Sequence, residues 1–84
     1  MQLTSVKSTT LAAVGYEEAQ QLLVLEFRNG DIYHYFDVPA AVQQALMKAP
    51  SKGTYFNAFI RDHYPYLRKR QGEMKLEALS SGRG

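Results

Sequence analysis

The chain has 84 residues, 45% hydrophobic and 12% aromatic, with a net charge of +2 and no cysteine or tryptophan. That length suits one small domain with a modest core. The aromatic content excludes an intrinsically disordered chain, and the missing cysteines exclude disulfide staples, thiolate metal sites and cysteine catalysis. No apolar run approaches the ~18 residues of a membrane span, and Met1-Gln2-Leu3-Thr4 lacks the basic and apolar regions of a signal peptide. A cytoplasmic protein with no membrane partner is therefore expected.

In chain order, residues 1–7 are polar and read as a flexible N-terminus. Residues 9–16, ending in Gly15-Tyr16, read as a strand, and Glu17-Glu18-Ala19-Gln20 as a turn. Residues 21–28 form the clearest strand, with Leu22, Leu23, Val24, Leu25 and Phe27. Asn29-Gly30 is a strong hairpin signal. Residues 31–38, with Ile32, Tyr33, Tyr35 and Phe36, complete a three-stranded antiparallel meander. The period then changes to about 3.6. Pro39 suits a first helical position, and Val42, Ala45, Leu46 and Ala49 make an amphipathic stripe that Pro50 stops. Ser51 caps a second helix over residues 52–63, with Phe56, Phe59 and Ile60 as its core face. The predicted fold is α+β, the meander followed by two α-helices on one face of the sheet. The domain spans residues 8–69, and 70–84 read as a disordered basic and polar tail, with a helical turn available to residues 74–79.

The hairpin admits two registers. With Asn29-Gly30 as a two-residue loop, Leu23, Leu25 and Phe27 share a face with Ile32, His34 and Phe36. Tyr33 and Tyr35 then lie on the opposite, open face as a stacking platform. With Arg28-Asn29-Gly30 as a three-residue loop and Gly30 as a bulge, Tyr33 and Tyr35 join Leu23 and Leu25 on the helix-facing side. The open face then carries Val24, Glu26, Arg28, Ile32, His34 and Phe36. A one-residue slip exchanges the faces; Asn-Gly favours the first register and the richer apolar face the second.

Charge is unevenly spread. Residues 1–42 hold two cations and five carboxylates, residues 43–84 eight cations and three carboxylates, densest at Arg68-Lys69-Arg70. A basic half fits an anionic partner, nucleic acid above all. Lys48, Lys52, Arg61, Arg68, Lys69 and Arg70 form the candidate binding strip, interleaved with Tyr64 and Tyr66. Cations suit phosphates and rings suit bases; the plain alternative is a solvated surface whose Tyr64-Pro65-Tyr66 tucks the helix end against the sheet. No catalytic constellation, phosphate loop or dinucleotide fingerprint is present. Two isolated histidines, His34 and His63, give no metal geometry. Ser51 next to Lys52 is better explained by capping than by nucleophilic catalysis. No enzyme, cofactor or metal is expected.

Taken together, Ser8-Thr9-Thr10-Leu11, Val14-Gly15-Tyr16, residues 23–30, Tyr33-His34-Tyr35, Val38-Pro39, residues 49–57, Ile60 and Tyr64-Pro65 resemble the KTSC domain. That family is named for the C-terminal region of some lysyl-tRNA synthetases and also occurs as small free-standing bacterial and phage proteins. Its tyrosine-x-tyrosine motif matches Tyr33 and Tyr35. The resemblance covers residues 6–66 and implies no catalytic residues; RNA binding is the role proposed for the family, and fusion alone does not fix it. The expectation is a non-enzymatic nucleic-acid-binding domain, monomer or weak homodimer, with RNA favoured over DNA as its ligand. The alternative is a protein-interaction module using the open sheet face or an edge strand.

Overall fold

The computed structural model describes residues 2–70. A five-stranded antiparallel sheet runs in chain order through β1 (Thr4–Ser5), β2 (Leu11–Glu17), β3 (Leu22–Phe27), β4 (Asp31–Tyr35) and β5 (Tyr66–Arg70). Helices α1 (Ala40–Lys48) and α2 (Lys52–Phe59) lie between β4 and β5 in sequence. The α+β class, the antiparallel pairing and the two helices agree with the sequence reading; the strand count of three is corrected to five. β1 has only two residues, too few to show a period. β5 carries the run Arg68-Lys69-Arg70, which reads as a solvated stretch yet suits an edge strand, where charge discourages further pairing. Thr4 and Ser5 pair with Val14 and Ala13 inside the stretch read as flexible. The tail read as disordered starts at residue 70; Arg70 instead ends β5, and residues 71–84, with the helical turn read at 74–79, lie outside the described residues.

The hairpin adopts the bulged register. Leu23 pairs with Tyr35 and Leu25 with Tyr33. Gly30 has φ +96° and donates its N–H to the Phe27 carbonyl at 3.0 Å, and the Asn29 side-chain oxygen accepts from the Asp31 N–H at 2.9 Å. Left-handed backbone is nearly free for glycine, so Gly30 absorbs the extra residue of the loop. Tyr33 and Tyr35 therefore face the helices, and the open-face platform of the two-residue loop does not form.

The core sits between that face and the helices. Leu11, Val14, Leu23, Leu25 and Tyr35 meet Val38, Leu46, Phe56 and Ile60 in one cluster of buried side chains. Each buried aliphatic side chain is worth about 1.5–3 kcal/mol. α2 begins as expected: the Ser51 hydroxyl accepts from the Thr54 N–H at 3.3 Å. It ends four residues before His63, and Phe59, expected in the core, is 56% exposed with its ring 4.8 Å from Tyr55. The side chain at 59 lies on the solvent side of a helix anchored by Phe56 and Ile60.

The first turn of α2 rests directly on the β1–β2 loop. A Cβ on Gly53 would stand 2.6 Å from Thr10 Oγ1 and 3.1 Å from Thr10 Cβ. Gly53→Ala gains up to about 1 kcal/mol of helix propensity but incurs an overpacking cost of about 1–3 kcal/mol. Urea denaturation is expected to show net destabilisation, shrinking toward zero in a Thr10→Ala background; equal effects in both backgrounds count against this close approach.

Candidate functional site

β5 antiparallel to β4 sets Tyr66 opposite Tyr35 and Arg68 opposite Tyr33. Since alternate residues share a face, Tyr66 and Arg68 stand on the helix side of the sheet. α2 is short and leaves this corner open. The result is a cleft of about 350 Å³, floored by Phe27, Tyr33, Tyr35, Phe56 and Tyr66 and rimmed by Thr10, Asn29, Asp31, Asn57, Arg61 and Asp62. Tyr33 and Tyr35 stack at 5.9 Å with planes 13° apart, and Tyr66 lies 5.5 Å and 5.4 Å from them. Phe27 meets Tyr33 and Phe56 edge-on at 5.1 Å and 5.2 Å. Such ring pairs add about 0.5–1.5 kcal/mol each beyond burial.

The three tyrosines form a gradient from core to surface. Tyr35 is 1% exposed, Tyr33 half-buried and Tyr66 53% exposed. Burial, then the neighbouring Tyr33 and Tyr66 phenols, push the Tyr35 hydroxyl far above its ordinary ionisation range, so it remains a neutral donor. At the rim, Arg68 Nε and Nη2 both reach Asp31 Oδ2 at 3.2 Å. The Arg68 side chain is 43% exposed, so this pair orients Arg68 more than it stabilises the fold.

The fold divides the cationic strip read from the sequence. Arg61, Tyr66 and Arg68 gather at the aromatic cleft. Tyr64 packs half-buried against the core. Lys69 lies on the opposite side of the sheet, opposite Ile32 and close enough to His34 to influence its titration. The Arg70 backbone pairs with Asp31. Lys48 is exposed at the end of α1. The Lys52 ammonium donates to the Ala49 carbonyl at 3.1 Å, one turn of helix from the cleft.

Sequence reasoning missed a second concavity, about 530 Å³, around Lys7, Arg28 and Lys52 with Ser8, Thr9 and Ser51. Its cations are more than twenty residues apart in sequence, so no local motif announces it. The sheet side away from the helices carries Val24, Ile32, His34 and Leu67, with Leu67 51% exposed. No group of three or more His, Asp or Glu among the described residues is placed to hold a metal ion. No helix among them is long and apolar enough to cross a membrane.

These features define a small antiparallel α+β domain with an aromatic cleft where its edge strand meets its second helix. Residues 7–64 match the KTSC domain model. A lysine–tRNA ligase of a Nostoc species is 44% identical over 64 residues, which are 76% of this chain and 11% of that enzyme. This chain thus spans about a tenth of that relative. An uncharacterized protein of Stutzerimonas stutzeri is 42% identical over 81% of this chain and 97% of its own length. The crystal structure of a KTSC domain protein from Yersinia pestis superposes with a TM-score of 0.75 at 30% identity, covering 82% of this chain and 94% of that one. The chain belongs to the KTSC domain family.

On the open sheet side, burial first and then the Lys69 charge lower the His34 pKa below 6.5. The unfolded chain therefore binds a proton on His34 more readily than the folded one. This contribution to stability is full above pH 6.5 and is lost as pH falls through the lower, folded value. In urea titrations, His34→Gln is expected to lose less stability than the parent between about pH 7.5 and pH 5.5. An identical loss in both proteins would remove His34 from the account.

Proposed function

We propose that this KTSC domain binds single-stranded nucleic acid, RNA in preference to DNA, with a base seated in the aromatic cleft. The carrying observation is Tyr66: half exposed, packed on Tyr33 and Tyr35, and bordered by Arg61 and Arg68. An aromatic face beside cations suits a base and its phosphate, and each stacked base is worth about 1–3 kcal/mol. Asn57 at the rim offers an amide that both donates and accepts, the chemistry of a base edge, and Asn29, its oxygen held by the Asp31 N–H, adds amide donors. The Nostoc relative, whose name is that of an enzyme acting on tRNA, supports RNA over DNA.

A second reading has its own observation. Ile32 and Leu67 share the helix-free sheet side, with Leu67 half exposed, which suits a protein partner. The two readings involve opposite sides of the sheet, so residue-resolved titration separates them.

Six tyrosines and no tryptophan make intrinsic tyrosine fluorescence a direct reporter. Short single-stranded RNA is expected to quench it more than matched DNA. Tyr66→Ala should weaken binding about 5- to 150-fold, the equivalent of one stacked base. Arg61→Gln should flatten the log–log salt dependence by about 0.7. Absence of quenching at low salt with high micromolar protein would sink the nucleic-acid reading and leave the sheet face as the better site.

A further inference from the structure

The concavity around Lys7, Arg28 and Lys52 stands apart from the aromatic cleft and is unusual in its charge. Three cations from the loop after β1, the β3–β4 loop and the first turn of α2 line it, and among the described residues no carboxylate does. Like charges gathered by tertiary folding repel one another, and an anion removes that cost.

The hydrogen bonds show a site already organised. Arg28 Nε donates to the Ser8 carbonyl at 3.0 Å and Nη2 to the Val6 carbonyl at 3.2 Å, which fixes the guanidinium over the loop. Lys52 spends one of its three ammonium donors on the Ala49 carbonyl. Ser8 is more telling. Its hydroxyl oxygen accepts from the N–H groups of both Thr10 and Leu11 at 3.1 Å, which fills its two acceptor sites and commits its proton to donation. At the α2 N-terminus, Ser51 takes up the Thr54 N–H. The Lys52 and Gly53 N–H groups have no acceptor within their own helix, at the positive end of its dipole. The concavity thus offers mostly donors and positive charge.

We propose that this basic cleft is a phosphate-binding site, taking a phosphate group either free or as part of an oligonucleotide. Lys7 and Lys52 supply mobile ammonium donors, Arg28 a fixed guanidinium, and Ser8 a hydroxyl oriented by its two backbone bonds. The site does not rest on the aromatic cleft's reading, since its ligand chemistry is the anion alone.

The test is a titration of ¹⁵N-labelled protein with inorganic phosphate and, separately, with a short oligouridylate, ionic strength being held constant with chloride. Saturable shifts of the Thr9, Lys52 and Gly53 amides are expected, with an affinity about tenfold or more weaker in Lys7→Gln, the scale of one charge-assisted hydrogen bond. Lys7 is exposed, so this variant keeps the fold. Lys52→Gln retains a donor for Ala49 and should weaken binding similarly. Saturation by inorganic phosphate supports a free-anion site; saturation by the oligomer alone, with the same loss in Lys7→Gln, supports a nucleic-acid phosphate. Linear, chloride-like shifts with both ligands, or affinities unchanged in both variants, would overturn the proposal. In the oligouridylate titration, shifts at the basic cleft without any Tyr66 response would remove the base-stacking reading and leave this site standing; a Tyr66 response alone would do the reverse.

Discussion

Gly30 carries the constraint on which the rest of the molecule depends. Its φ of +96° lets Arg28, Asn29 and Gly30 form a three-residue loop, closed by the hydrogen bond from Gly30 to Phe27 and by the Asn29 side chain on the Asp31 N–H. One residue fewer in that loop would turn all of β4 over. With the bulge in place, Leu23, Leu25, Tyr33 and Tyr35 share one side of the sheet. β5 then aligns on β4, and Tyr66 and Arg68 come to the same side. The cleft, its aromatic floor and its Asp31–Arg68 rim all follow from the conformation of one loop residue.

The cost of that arrangement is polar. Turning two tyrosines inward brings phenol oxygens toward a core that a domain of this size fills with few aliphatic residues. Tyr35 remains neutral because burial and its phenol neighbours oppose ionisation. Tyr16 solves the same problem by donating to the Val38 carbonyl, tying β2 to the segment entering α1. That segment is held again by Val38 N–H on the Gln21 carbonyl and by Phe36 N–H on the Pro65 carbonyl, both at 2.9 Å. The entry to α1 and the return from α2 are thereby fixed to the sheet, which sets how much of the aromatic surface α2 covers. α2 ends at Phe59, and Tyr66 is left half exposed.

What was legible in the sequence was local. The apolar run of β3, the Asn-Gly turn, the stripe of α1 and the Ser51 cap are written in neighbouring residues, and each appears in the fold. The register was not legible, because Asn29-Gly30 suits both loop lengths and only packing against Leu46, Phe56 and Ile60 decides between them. β5 was hidden by composition: Arg68-Lys69-Arg70 reads as one basic patch, yet strand alternation directs Arg68 to the cleft and Lys69 to the other side of the sheet. The gathering of Lys7, Arg28 and Lys52 was beyond reach, since it is created by the β1–β2 loop folding onto α2 and by Arg28 holding that loop by its carbonyls.

The two concavities are joined by the contact that makes them separate. Thr9 belongs to the basic one and Thr10 to the aromatic one, and between them the loop lies against Gly53 with no room for a Cβ. Along α2, Lys52 faces the first and Asn57 the second, five residues or ~7.5 Å of helix apart. A side chain at 53 would press on the Thr10 side chain, which lies where the two concavities adjoin. Glycine at this position therefore lets the loop that lines both concavities lie close against α2. Two concavities of different chemistry thus border one stretch of chain, residues 9 and 10, where the Thr10 side chain meets Gly53.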